Sequence, residues 1–349
     1  MTTRLTWDQG SAYDLFISLH VLHHPGRFGL RPSWAAGVRS RLPGQQRAFL
    51  DEAQSFMPVP LHWLVHLPAR PKDSAAALAA LEKIDPAERL AALTLAVFQA
   101  PELEPRLPEV AKRGAWTDAD REIAARAIPH LNGPAITRLL DAWSDPAAFG
   151  ERYLQALQTY CEVFFAEEEA RIQPALEEGL ARAQVLARDL PLPELLEELS
   201  HGVQFDWLPG TEELALVPSY WAAPLVFYHN LGPGRRLLLF GSRPEEQTLV
   251  PGEQVPAELV TALKALADPT RLRILRYLGE EPLTPSQLAR RLRLRAPTVV
   301  HHLNTLRLAG LVQIRLTAEG EKRYALRSGA VNAAARRLQD LLRTDGTQH

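Results

Sequence analysis

"ALADPTRLRILRYL", Ala265–Leu278, lies late in a chain of 349 residues, and its reading decides the fold of everything around it. Asp268 followed by Pro269 interrupts one helix and starts another. Leu272, Leu275 and Leu278 form the expected apolar side of the second helix. Upstream, "AELVTALKAL" reads as the preceding helix. Downstream, "LTPSQLARRLRL" reads as a further helix with Thr284 as N-cap and Pro285 at the first helical position, where the proline ring pre-sets the backbone angle. "APTVVHHLNTLRLAGLV" then sets Val299, Leu303 and Leu306 at i, i+4 and i+7, the spacing of a core-facing helix stripe. Gly310 supplies a left-handed stop. "VQIRLTAEGEKRYALR" gives two strands around a Glu-Gly turn, and "AVNAAARRLQDLL" a last helix. The order helix, helix, turn, helix, hairpin, helix is that of a winged helix-turn-helix, whose second paired helix enters the major groove.

Charge supports that reading. Residues 258–343 carry 16 Lys and Arg against 7 Asp and Glu, a net of +9, whereas residues 1–257 carry 23 against 33, a net of -10. A basic module joined to an acidic body points to a polyanion for the module alone. On the exposed side of the second paired helix, Thr298, His301 and Asn304 are expected to reach bases or phosphates, with Pro297 in its first turn. Arg291, Arg295 and Arg315 are expected to hold the DNA backbone, and Lys322 and Arg323 to extend the basic surface along the wing.

"ALADPTRLRILRYL", "LTPSQLARRL", "PTVVHHLNTLRLAGLV" and "EGEKRYALR" together resemble the ArsR family of bacterial winged-helix repressors over about 85 residues. The resemblance implies a homodimer that reads an inverted-repeat operator in double-stranded DNA and leaves it when an effector binds. Three departures qualify it. Val300 stands where the family commonly has a serine, and valine cannot donate to phosphate. No cysteine occurs in "LTPSQLARRL", where thiolate metal sensors of the family carry them. "AVNAAARRLQDLL" lacks the His and carboxylate spacing of its zinc sensors. Some larger members carry the module behind a long domain of unassigned function, and this chain resembles those.

The first 200 residues read as helices, with runs near 32–42, 45–56, 73–83, 86–98, 118–130 and 134–143. "SAYDLFISLHVLHH" starts them, with Ser11 as expected N-cap, and a long helix follows from 145 with an expected bend at Pro174. From 203 the texture changes to "VQFDWL", "ELALVPS", "APLVFYHN" and "RRLLLFGS", short apolar runs parted by turn residues, the pattern of a small antiparallel sheet. "RPEEQTLVPGEQVP" reads as a linker. The expected architecture is mainly α with a small antiparallel β-sheet: a helical regulatory and dimerisation domain over 1–202, a sheet over 203–250 belonging to it, and a winged helix-turn-helix over 256–349.

Other residues weigh little as sites. Cys161, between Tyr160 and Phe164, reads as a packed core thiol, and a single cysteine permits no internal disulfide. His20, His23 and His24 share a helix face at spacings zinc accepts, but no nearby carboxylate or cysteine completes a tetrahedral set. Glu167, Glu168, Glu169, Glu177 and Glu178 read as a solvated acidic face. No phosphate loop, nucleophile elbow or His-Glu-x-x-His motif occurs, so neither an enzyme nor a cofactor is expected. Without an apolar run of membrane-spanning length or a signal peptide, a cytoplasmic location and no membrane partner are expected. The aromatics, nearly all before residue 258, could line an apolar pocket for a small-molecule effector, although core and dimer interface account for them as well. The sequence therefore points to a DNA-binding regulator, expected to repress and to be controlled through its N-terminal part. The rival reading is a DNA-tethered scaffold that docks a protein partner and takes no small molecule.

Overall fold

A computed structural model describes residues 3–244, 257–316 and 322–344. In chain order its elements are β1 (Arg4–Trp7), α1 (Ser11–His23), α2 (Pro32–Arg39), α3 (Gly44–Ala53), α4 (Leu61–Val65), α5 (Ser74–Glu82), α6 (Pro86–Phe98), α7 (Arg106–Arg113), α8 (Asp118–Ala127), α9 (Gly133–Ser144), α10 (Pro146–Tyr160), α11 (Ala166–Asp189) and α12 (Leu192–Leu199). There follow β2 (Val203–Phe205), β3 (Glu213–Ser219), β4 (Phe227–Gly232), β5 (Arg235–Gly241), α13 (Ala257–Leu266), α14 (Pro269–Glu280), α15 (Pro285–Leu292), α16 (Ala296–Leu308), β6 (Val312–Leu316), β7 (Lys322–Leu326) and α17 (Ala330–Thr344). The long helix expected from 145 is α10 and α11 joined by a π-helical turn at Cys161–Phe165, with Pro174 inside α11. The turns α4 and α7 lie in stretches where proline masked the helical periodicity.

Two compact units emerge from the packing. One holds residues 8–25 and 31–176; the other holds the described residues of 3–7, 26–30 and 177–344. This division cuts across the boundaries expected from sequence, because β2 to β5 group with the winged helix and draw β1 in with them.

The helical unit is built around α1, of which Tyr13, Leu15, Ile17, Leu19 and Leu22 are wholly buried. Ser11 is not the N-cap. It is the first helical residue, and its hydroxyl donates to Glu169 Oε1 at 2.5 Å. The same carboxylate accepts from the Ser74 amide at 2.8 Å and the Ser74 hydroxyl at 2.6 Å, so it serves the starts of both α1 and α5. Glu168 is buried and paired with Arg171. These two glutamates therefore depart from the solvated face expected of them. Buried Cys161 lies 3.6 Å from the Ser74 hydroxyl, and burial pushes its thiol pKa up, the state of an inert packed thiol. At the start of α1, Gly10 runs so close to Lys72 that a Cβ there would stand 2.1 Å from the Lys72 carbonyl oxygen.

The second unit holds two sheets, and they are mixed rather than purely antiparallel. In the first, ordered β1-β3-β5-β4, β1 runs parallel to β3 and β3 parallel to β5; β4 alone is antiparallel. The physical reason is visible in β3 and β5. Leu214, Leu216, Val217 and Leu237 to Leu239 are all buried, so both faces of these strands are covered, the usual condition of parallel strands. The second sheet is ordered β2-β6-β7. The hairpin β6–β7 is the expected wing, antiparallel with Ile314 opposite Tyr324. To its free edge β2 adds in parallel, pairing Val203 with Ile314, Gln204 with Arg315 and Phe205 with Leu316. The wing is thus completed by a strand from outside the winged helix.

Candidate nucleic-acid interface

The start of α14 shows how local chemistry sets the helix-turn-helix. Asp268 caps it by accepting from the Arg271 amide at 2.9 Å, with Pro269 in the first turn. Arg271 folds back and donates from Nε to the Ala265 carbonyl and from Nη2 to that of Lys264, both at 2.7 Å, which satisfies the last turn of α13. That capping arginine is a role the sequence reading missed. The backbone amide holds the Asp268 carboxyl below its ordinary value of 3.8. Asp268→Ala is expected to cost about 1 kcal/mol of stability at neutral pH. A carboxyl depressed in the folded state contributes in full above its unfolded pKa and loses that contribution as pH falls through the lower folded value. The difference between wild type and variant in urea unfolding should therefore shrink as pH is lowered below the carboxylate range.

Thr284 and Gln287 form a reciprocal capping box at the start of α15, at 3.3 and 2.8 Å. Arg293 in the left-handed region (φ 55) closes that helix, and Arg295 opens α16. Within α16, Val299, Leu303 and Leu306 are completely buried, packed with Ile274, Leu278 and Leu288. Leu272 departs from its expected core position and is 49% exposed; Ile274 is buried instead, beside the expected Leu275 and Leu278.

The buried stripe of α16 leaves Arg295, Pro297, Thr298, Val300, His301 and Asn304 exposed together along one helix. Arg295 has no side-chain bond among the described residues. Next to His301, burial lowers the pKa of His302. Arg291 is exposed but occupied: Nη2 donates to Glu281 Oε1 at 2.5 Å, and the guanidinium lies 5.7 Å from the Tyr277 ring centre. Arg315, on β6, donates from Nε and Nη2 to Gln204 Oε1 at 3.2 and 2.9 Å. Lys322 and Arg323 are exposed on β7; partial burial and the Arg307 guanidinium lower the Lys322 ammonium pKa. The Glu-Gly turn of the wing and most of the expected linker lie outside the described residues.

Residues 266–315 match a family model described as a helix-turn-helix domain. Residues 2–224 match the model of a family of unknown function, DUF5937, which spans more than half of the chain. The chain belongs to this DUF5937 family. No curated protein matches it. Among solved structures it is similar to an ArsR-like transcriptional regulator from Rhodococcus sp. RHA1, at 36% identity over 24% of this chain and 77% of that one, with a TM-score of 0.23. The helix-turn-helix domain makes this DUF5937 chain a DNA-binding transcriptional regulator in which the DNA-binding part is C-terminal. The DUF5937 match takes in β1, β2 and β3, so the family segment reaches directly into both sheets of the C-terminal unit.

Away from the winged helix, His20, His23 and His24 engage their own surroundings. His23 Nδ1–H donates to the Leu19 carbonyl at 2.7 Å, His24 Nε2–H donates to that of Gln54 at 3.0 Å, and the His20 and His24 rings lie 4.4 Å apart. Among the described residues, no group of three or more His, Cys, Asp or Glu side chains is placed to hold a metal ion, and no helix is long and apolar enough to cross a membrane.

Proposed function

We propose that this chain is a repressor of ArsR type that binds operator DNA as a homodimer and is controlled by an effector acting through the part of the chain that precedes the winged helix. One observation carries the reading: a helix buried on Val299, Leu303 and Leu306 presents Arg295, Thr298, His301 and Asn304 to solvent. Those groups can donate to base edges and phosphates, and they stand on a module of net positive charge. Arg291, Arg315, Lys322, Arg323 and Pro297 complete the proposed contact set.

Fluorescence anisotropy of the full-length chain on duplexes from its own upstream region, over a salt series, tests the interface. Arg295→Ala is expected to weaken cognate and random duplexes alike and to reduce the salt slope by about one. His301→Ala is expected to lose about 1–3 kcal/mol on the cognate site and little on random DNA. Equal losses of His301→Ala on both would remove that side chain from base reading.

A homodimer is supported by the exposed apolar residues Leu263, Leu272 and Val331, which lie on α13, α14 and α17. One recognition helix reads too few bases for useful specificity, and paired half-sites one helical turn apart supply the rest. Leu263→Asp is expected to give a monomer in sedimentation velocity at micromolar concentration, with operator affinity reduced. A wild-type chain that sediments as a monomer with and without DNA would overturn the assembly.

A further inference from the structure

The C-terminal unit holds a cavity of about 690 Å³ whose lining shares only Arg315 with the proposed recognition surface. Its apolar wall is Leu5 of β1, Leu192 and Leu196 of α12, Phe205 of β2, and Leu208 with Pro209 in the turn that follows. That volume falls in the range of sites that enclose drug-sized molecules, which are mostly apolar with a few placed polar groups. Here the polar side chains are Thr3, Glu197, Gln204, Asp206 and Arg315. Three of them form a chain. Gln204 Nε2 donates to Glu197 Oε2 at 3.0 Å, and Gln204 Oε1 accepts from Arg315 Nε and Nη2.

We infer that this cavity is the effector site and that it takes a lipophilic organic cation. The charge balance selects the cation. Two carboxylates, Glu197 and Asp206, line the cavity with a single guanidinium, Arg315, that Gln204 already engages, so an anion would meet net repulsion and a cation net attraction. An apolar body of matching size would fill the leucine-lined wall, and its charged end would compete for Glu197 and the Gln204 carbonyl.

The position of the cavity supplies a route to the DNA. Gln204 pairs with Arg315 in the β2–β6 register, and Arg315 stands on the wing. An occupant that displaces Gln204 releases the Arg315 guanidinium and disturbs the strand that completes the wing sheet. This differential contact is what allows a ligand to favour one arrangement of the wing over another. The coupling half of the inference rests on the DNA-binding reading above; the binding half does not.

The test uses the full-length chain and three dyes: rhodamine 6G as lipophilic cation, Nile red as neutral probe and anilinonaphthalene sulfonate as anion. Rhodamine 6G is expected to bind saturably with increased anisotropy and tighter than the anion. The double variant Glu197→Gln, Asp206→Asn is expected to weaken it several-fold with an unchanged melting profile, and Leu208→Trp to block it by filling the cavity. Equal affinity for the anion, or unaltered rhodamine binding in both variants, would overturn the site. Operator affinity measured with saturating rhodamine 6G is expected to change by about 5–150-fold. Dye binding without any change in operator affinity would overturn the coupling. Failure of the ligand-free chain to bind any duplex would instead count against the DNA-binding reading, with the dye titrations still deciding the site.

Discussion

Lys72→Met is expected to destabilise the helical unit by about 3–5 kcal/mol, the cost of removing one partner from a buried ion pair. The Lys72 side chain is fully enclosed, and its ammonium donates to Asp8 Oδ2 and to the carbonyls of Leu64, at 3.1 Å, and Val65, at 2.8 Å. Burial lowers the Lys72 pKa, and the bond to Asp8 works against that fall. The methionine would leave the Asp8 carboxylate with the Tyr13 hydroxyl, which donates to it at 2.8 Å, and with Arg70 at 3.7 Å. Two carbonyls, the buried one of Leu64 and the partly buried one of Val65, would also lose a donor. Adding Asp8→Asn to Lys72→Met removes the stranded charge and should recover part of the loss. Urea unfolding followed by far-UV dichroism reads both. A loss under about 1 kcal/mol for the single variant would place the pair in the class of solvated surface bridges.

Leu303→Ala is expected to cost about 2–5 kcal/mol and to abolish operator binding, because the recognition helix is held in place by the side chain removed. Leu303 is completely buried between Val299 and Leu306, within the cluster that includes Ile274, Leu278, Leu288 and Leu292. Its side chain faces away from DNA, so any loss of affinity must come through the placement of α16. Leu303→Met, which nearly conserves volume, should cost less than about 1.5 kcal/mol and retain binding. Calorimetry and anisotropy on the same preparations check the pair. Full operator affinity in a folded Leu303→Ala chain would show that α16 is positioned by something other than its core stripe.

The winged helix was legible because its signals are local. Asp268-Pro269 parts two helices, Thr284 caps the helix it precedes, and Val299, Leu303 and Leu306 recur at helical spacing. Leu272 misled because three leucines in register outweighed Ile274, and only packing decides which stripe is buried. What stayed hidden is what the chain brings together from far apart. The four residues of β1 give too short a run to read as a strand, and their partner β3 lies some two hundred residues away. Nothing local in "VQFDWL" tells that β2 pairs with the wing rather than with β3. Strand direction was hidden likewise, although the unbroken apolar run of β5 carried a hint of a strand covered on both faces. Among the residues proposed for the interface, only the exposed ones on α16 could be placed from spacing. The Glu281 partner of Arg291 and the Gln204 partner of Arg315 come from packing, and so does the cavity beside Arg315.

The parallel pairing of β2 with β6 has a practical consequence for dissecting this chain. A cut at residue 256, where the composition of the sequence suggests one, would separate the wing from its third strand. Ile314, now buried, would stand with Arg315 and Leu316 on a bare edge of unpaired backbone groups, a template for joining the same edge of another copy. Such a fragment would self-associate through its wings, and the resulting oligomers could pass for a native assembly or for gain of DNA affinity by avidity. The smallest portable piece therefore begins before Val203, and a graft of the bare module onto another protein would carry an adhesive edge with it.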